Sequence, residues 1–176
     1  GLSLVVGLAV LRALRRLGVE GVGLKWPNDV YAGGRKIAGI LIELNGDPAD
    51  ACHVIIGIGV NVNMRPGSLN IGQPWTTVRE QTGRLASRAD LSQFLSESMY
   101  HYIDRHSRKG FSSLREEWEA NNIWYGKSCV LSTGAQQVKG VMNGIDEQGA
   151  LRLWIEGRGE QCFSGGELSL RLDHDS

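Results

Sequence analysis

The sequence predicts an α+β fold, a mixed, largely antiparallel sheet packed against helices and followed by a small β-barrel. Three patterns carry this expectation. Residues 2–17 place apolar side chains at helical spacing (Leu4, Leu8, Leu11, Leu14). Apolar, reversing strand segments follow between residues 22 and 62. After Tyr125-Gly126 the chain changes to short alternating strands separated by glycine turns. The boundary between a first domain, 1–126, and a second, 127–176, is therefore placed near residue 126.

Each element follows from local chemistry. Val5, Val6 and Val10 widen the apolar face of the first helix, Arg12, Arg15 and Arg16 suit its C-terminal dipole, and Gly18 suits the position beyond its end. Val22–Lys25 is a short strand, interrupted by Pro27 and the turn-forming Asn28-Asp29. Val30–Ala32 is strand-like, and Gly33-Gly34 forms a two-residue hairpin turn. Ile37–Leu44 and Val54–Val62 are almost continuously apolar, as strands buried on both faces would be. Residues 63–75 form a Gly/Pro/Asn-rich loop. Helices are expected at 76–84, at 90–108 with Asp90 as cap, and at 111–121 with Phe111, Leu114 and Trp118 on one side. The barrel strands are placed at Ser128–Leu131, Val138–Ile145, Leu151–Ile155, Gln161–Phe163 and Glu167–Leu170.

Composition narrows the function. Nineteen basic and nineteen acidic residues give a net charge of zero, against the basic excess a general polyanion binder needs. No apolar run reaches the ~20 residues needed to span a bilayer. The three cysteines, Cys52, Cys129 and Cys162, are scattered and odd in number. They suit a reducing cytoplasm better than a disulfide framework or a zinc site. The chain opens on Gly1 and its first methionine is Met64, so a part of a longer or processed protein is expected.

Lys25-Trp26-Pro27-Asn28-Asp29 packs a cation, a large aromatic, a rigid turn and two oxygen-bearing side chains into five positions. Across the Gly-Gly hairpin, Lys36 comes near Asp29 on the adjacent strand. Such a pair serves a phosphate site, the carboxylate helping to hold Mg²⁺ and the amine an anion; it equally describes a plain cross-strand ion pair. Gly57-Ile58-Gly59-Val60-Asn61 imitates a dinucleotide fingerprint but has Asn63 at the sixth position and no following helix. Its glycines still permit close backbone approach, and Asn61, an amide in an apolar strand, has the donor and acceptor to read a base edge. His53, His101, His106 and His174 have no metal-ligand spacing, and neither a nucleophile elbow nor a Walker sequence is present. Trp118 and Trp124 read as packing residues.

With these residues in view, the sequence resembles the biotin protein ligase family. The matching motifs are Lys25–Asp29, Arg35-Lys36-Ile37-Ala38-Gly39-Ile40-Leu41-Ile42-Glu43, Gly57–Asn61 and the ending Gly165-Gly166-Glu167-Leu168-Ser169-Leu170-Arg171, in order and spacing. The resemblance implies an SH3-like closing barrel. It also implies a two-step reaction: the biotin carboxylate attacks the α-phosphorus of ATP, and a lysine of a biotin carboxyl carrier domain of acetyl-CoA carboxylase then attacks the biotinyl-adenylate.

Further implications are residue-specific. Lys36 corresponds to the lysine touching both the biotin carboxyl and the phosphate, and Gly39 to a glycine against the biotin chain. Gly57 and Gly59 correspond to the floor of the biotin pocket, and Asn61 to the adenine reader. Asn28 and Asp29 line the nucleotide–Mg²⁺ side. Residues 64–75 correspond to a segment ordering over the adenylate, and Glu167 and Arg171 reach toward nucleotide. The family's glycine/arginine-rich loop and biotin-ring segment fall before residue 1, as does the helix-turn-helix domain of its longer members. Two alternatives accompany this expectation: a non-catalytic module that docks the carrier or forms a homodimer, and a lipoate-ligase-like acyl-adenylating relative. No nucleic-acid or membrane partner is expected through this chain.

Overall fold

The computed structural model describes residues 1–46, 53–65, 72–134, 136–164 and 168–173. Helix α1 (Leu2–Arg16) is followed by strands β1 (Val22–Lys25), β2 (Asp29–Ala32), β3 (Arg35–Asn45) and β4 (His53–Val60). These form one antiparallel meander in the order β1-β2-β3-β4. The Gly33-Gly34 turn between β2 and β3 has φ of +56° and +74°, the doubly positive conformation that glycine adopts without penalty. Helices α2 (Val78–Thr82), α3 (Arg88–Lys109) and α4 (Ser112–Glu119) lead to strands β5 (Ser128–Thr133), β6 (Gln136–Ile145), β7 (Leu151–Ile155), β8 (Gly159–Phe163) and β9 (Leu168–Leu172).

Helix α1 packs between the first sheet and α3. It is therefore buried nearly all round from Leu4 to Leu11, not along one stripe. Its coverage also corrects the expectation that Ile37–Leu44 and Val54–Val62 are buried on both faces. Ile37, Ala38 and Ile40 are buried, whereas Leu41, Leu44, Val54 and Ile55 stand 58%, 73%, 44% and 50% exposed. The β3–β4 hairpin projects past the helix, and apolar composition alone cannot show where cover ends.

Two further expectations change in detail. Ser87, not Asp90, caps α3: the Ser87 hydroxyl accepts from the Asp90 amide at 3.1 Å, and Asp90 complements the dipole from the first turn. The C-terminal strands pair in the order β8-β7-β6-β5-β9, and β8 and β9 do not pair with each other among the described residues. A five-stranded antiparallel sheet is what the structure shows; barrel closure is not seen. No described helix is long and apolar enough to cross a membrane.

The two sheets are tied together beside β1. The Leu24 amide donates to the Asn121 carbonyl (2.8 Å) and the Ile123 amide to the Leu24 carbonyl (3.0 Å). The Trp26 indole donates to the Gly149 carbonyl (3.1 Å), and the Ile145 amide to Glu119 (2.8 Å). Gly23 makes this approach possible, since a Cβ there would lie 2.1 Å from Ile123 Cγ2. Gly23→Ala is therefore expected to cost roughly 1–3 kcal/mol by overpacking. Calorimetry should show a Tm lower by about 2–12 °C, given ~2–4 °C per kcal/mol for a chain of this size; an unchanged Tm would mean that the 121–123 segment yields freely.

Candidate functional site

The site is built where β1, β2 and β3 run side by side. Lys25 and Asp29 are register partners across the Trp26–Asn28 turn, and Asp29 is in turn the partner of Gly39. A bulge then shifts the register: Val30 pairs with Ala38 but Tyr31 with Lys36, leaving Ile37 without a partner in β2. Regular alternation would put Lys36 on the face of buried Ala38 and Ile40. The extra residue lets Ile37 go into the core while Lys36 folds back over Gly39. A Cβ on Gly39 would lie 3.2 Å from Lys36 Cε and 3.3 Å from its Nζ.

Asp29 thereby lies between two ammonium groups. Lys36 Nζ is 2.5 Å from Oδ1 and Lys25 Nζ is 3.0 Å from Oδ2. Asp29 and Lys25 are buried, whereas the Lys36 side chain keeps 26% exposure. Lys25 also packs on aromatic faces, 4.9 Å from the Trp124 centroid and 5.9 Å from that of Tyr31. Burial, and secondarily the Asp29 charge, pushes the Tyr31 phenol above its ordinary pKa.

Lys36 opens onto a cavity of about 340 Å³ lined by Lys36, Ala38, Gly39, Gly59, Val60, Asn61, Gln73 and Trp75. Gly39 and Gly59 are register partners and give it a bare backbone floor. Neither Gly57 nor Gly59 needs a positive φ, and a Cβ at either would meet only ordinary contacts, so the protein itself does not require glycine there. The backbone of Asn61 is pinned by bonds to Ile37 and Val78, which presents its amide at the wall. The segment after the glycine-rich loop clamps the amine-bearing residue from outside. The Lys36 amide donates to the Pro74 carbonyl (3.1 Å), and the Thr76 amide to the Lys36 carbonyl (2.9 Å). Arg35 pairs with Glu80 at 2.6 Å, anchoring α2 to β3 and lowering the Glu80 carboxyl pKa chiefly through that hydrogen bond.

The expected residues divide accordingly. Lys36, Gly39, Gly59 and Asn61 share the cavity, and Asp29 stands behind Lys36. Gly57 lies two residues from Gly59 on the same strand face but outside the lining. Asn28 is committed to its turn: its amide donates to the Ile40 carbonyl, and the Ile40 amide donates back to the Asn28 carbonyl, both at 2.9 Å. Arg171 lies exposed on β9, outside the lining. Glu167 and residues 66–71 of the loop lie outside the described residues. Both oxygens of Asp29 are taken by ammonium groups, and no metal-holding cluster of His, Cys, Asp or Glu occurs among the described residues. This arrangement does not fit Asp29 as a direct Mg²⁺ ligand. Burial raises the Cys129 thiol pKa to about 11, so it supplies no thiolate near neutrality.

Sequence reasoning missed Lys25 as a partner of Asp29, and Trp75 and Gln73 as lining. The Lys25 signal was available, because a proline turn between two short strands pairs its flanking residues. For Trp75 the only signal was an aromatic beside a proline at the end of a loop.

Comparison with known proteins adds an independent line. The model of the biotin/lipoate A/B protein ligase family matches residues 1–61. The bifunctional ligase/repressor BirA of Escherichia coli is 37% identical over 172 residues, covering 97% of this chain and 53% of the relative. A biotin–[acetyl-CoA-carboxylase] ligase of Paracoccus denitrificans is 32% identical over 157 residues, covering 86% of this chain and 65% of the relative. The chain thus spans about half the length of the first of these and under two thirds of the second. The biotin protein ligase of Aquifex aeolicus, solved in complex with biotin and ATP, superposes with a TM-score of 0.88 at 31% identity, covering 98% of this chain and 71% of that one.

The packing of Lys36 over Gly39 yields a direct test. In a crystal structure of Gly39→Ala, the added methyl should move the Lys36 amine out of contact with Asp29 while the β3–β4 register is kept. An unmoved ion pair would show that the bare backbone is not what seats the amine.

Proposed function

The chain belongs to the biotin protein ligase family, and on that premise we propose that it carries the adenylation centre of an ATP-dependent biotin ligase. The reaction joins two anions. A carboxylate oxygen of biotin bonds to the α-phosphorus of ATP, and the bond to pyrophosphate breaks, the leaving group taking its electron pair. The ε-amine of a lysine on a biotin carboxyl carrier domain then attacks the acyl carbon of the biotinyl-adenylate; AMP leaves and the amine proton is lost. The first step needs a positive charge set between the reactants, where it favours the transition state over the separated anions.

The observation that carries this reading is the Lys36 amine, gripped by Asp29 at 2.5 Å and lining a cavity floored by Gly39 and Gly59. In this reading Lys36 holds the carboxylate and the α-phosphate, and Gly39, Gly57 and Gly59 leave room for the biotin chain. The Asn61 amide reads the adenine edge, and Trp75 offers a flat wall on which a purine stacks. Magnesium would come with ATP and offset phosphate charge, and Asp29, with both oxygens on ammonium groups, would not hold it. Residues 127–176 act as a second, closing domain, with Arg171 available toward the nucleotide, and the use of ATP fits a cytoplasmic setting.

Lys36→Ala is expected to lower biotin-dependent pyrophosphate release by roughly 10²-fold or more, the scale for losing one preorganised electrostatic contact. The Tm should change little, because Asp29 keeps Lys25 as its partner. Pyrophosphate release within about threefold of the unsubstituted protein would overturn the role. Since the matching family model covers lipoate ligases too, the assay includes lipoate; faster release with lipoate than with biotin would move the substrate assignment to that acid.

A further inference from the structure

Lys25 takes no part in the reaction as written, yet it is buried and points its ammonium at the carboxylate that holds Lys36. A buried ion pair needs only one cation. A second ammonium, taken from water to share the same carboxylate, is costly, and an aliphatic side chain would fill the space beside Trp124 and Tyr31 without that cost. Lys25 is not among the residues lining the cavity, so it does not meet a ligand there.

The charge count explains the expense. Asp29 with Lys36 alone is a neutral pair, whose pull on an approaching anion is that of a dipole. Adding Lys25 leaves the trio with a net charge of +1, carried at its exposed end by Lys36. We infer that Lys25 is a positioning residue: its ammonium holds Asp29 Oδ2 and neutralises the carboxylate, so that Lys36, seated on Oδ1, presents an uncompensated positive charge to the cavity. This rests on the ligase reading, because that charge matters where a carboxylate and a phosphate must meet.

The test is a charge cycle in the full-length protein, read by biotin-dependent pyrophosphate release, with biotin affinity from tryptophan fluorescence and Tm as controls. Lys25→Met should lower kcat by roughly 10²-fold and biotin affinity by a smaller factor, since the charge acts most where two anions meet. Lys25→Met combined with Asp29→Asn restores the +1 count, since asparagine can still accept from Lys36, and should return kcat to within about tenfold of the unsubstituted protein. Because this double variant leaves no buried charge unpaired, it decides the matter even where Lys25→Met alone fails to fold. A folded double variant as slow as Lys25→Met, or one slower than the unsubstituted protein by roughly 10²-fold, overturns the inference. So does a Lys25→Met protein of normal kcat. An unsubstituted protein that releases no pyrophosphate with either biotin or lipoate overturns the ligase reading itself. That outcome is distinct from an active protein indifferent to residue 25, which sinks only the role of Lys25.

Discussion

One buried carboxylate shared by two ammonium groups organises this molecule. The Asp29 oxygens reach Lys25 and Lys36 from opposite sides, and meeting both demands places strict conditions on three strands at once. β1 must lie in register with β2 so that residue 25 faces residue 29. β3 must bulge so that residue 36 can reach back. β3 must also leave bare backbone at Gly39, over which the amine lies. Much of the local architecture follows from satisfying these conditions together, since a carboxylate this deep must keep a cationic partner.

The surrounding packing serves to hold those three strands still. Helix α1 covers the face where Ile37, Ala38 and Ile40 are buried, and the 121–124 segment closes β1 on its outer side. The Trp26 indole extends the hold to the second sheet through Gly149. The motif that carries the chemistry is therefore also a structural joint: its first residue binds the carboxylate, its second crosses to the other sheet, and its fourth ties the turn to β3.

Much of this was legible in the sequence where the signal is local. The first helix, the Gly33-Gly34 hairpin, the reversing strands and the nearness of Lys36 to Asp29 all follow from spacing and turn chemistry. What was not legible depended on distant parts of the chain. The exposed ends of β3 and β4 look buried because Leu44 and Ile55 are as apolar as Ile37, and only the reach of α1 distinguishes them. The bulge was invisible because Lys36-Ile37-Ala38 is an unremarkable stretch until its partner strand is known. Asn28 carried two signals, a turn former and a polar group beside a nucleotide motif, and in the fold its amide serves the turn.

The bulge at Ile37 has a consequence for how this region can vary. In a pleated strand, faces alternate, so the number of residues between two same-face positions is normally fixed only as odd or even. Here the parity is broken once, on purpose of geometry, between residues 36 and 38. Deleting Ile37 would restore regular alternation with the amine still on the Gly39 face but would take one side chain from the core; inserting one residue would send Ile37 out to solvent. The hairpin tip at Gly33-Gly34 can lengthen in pairs, whereas a single-residue change from Lys36 to Gly39 costs the core the place of Ile37. A homologue differing by a single residue in that interval would keep the amine's face and have to fill this part of the core in another way.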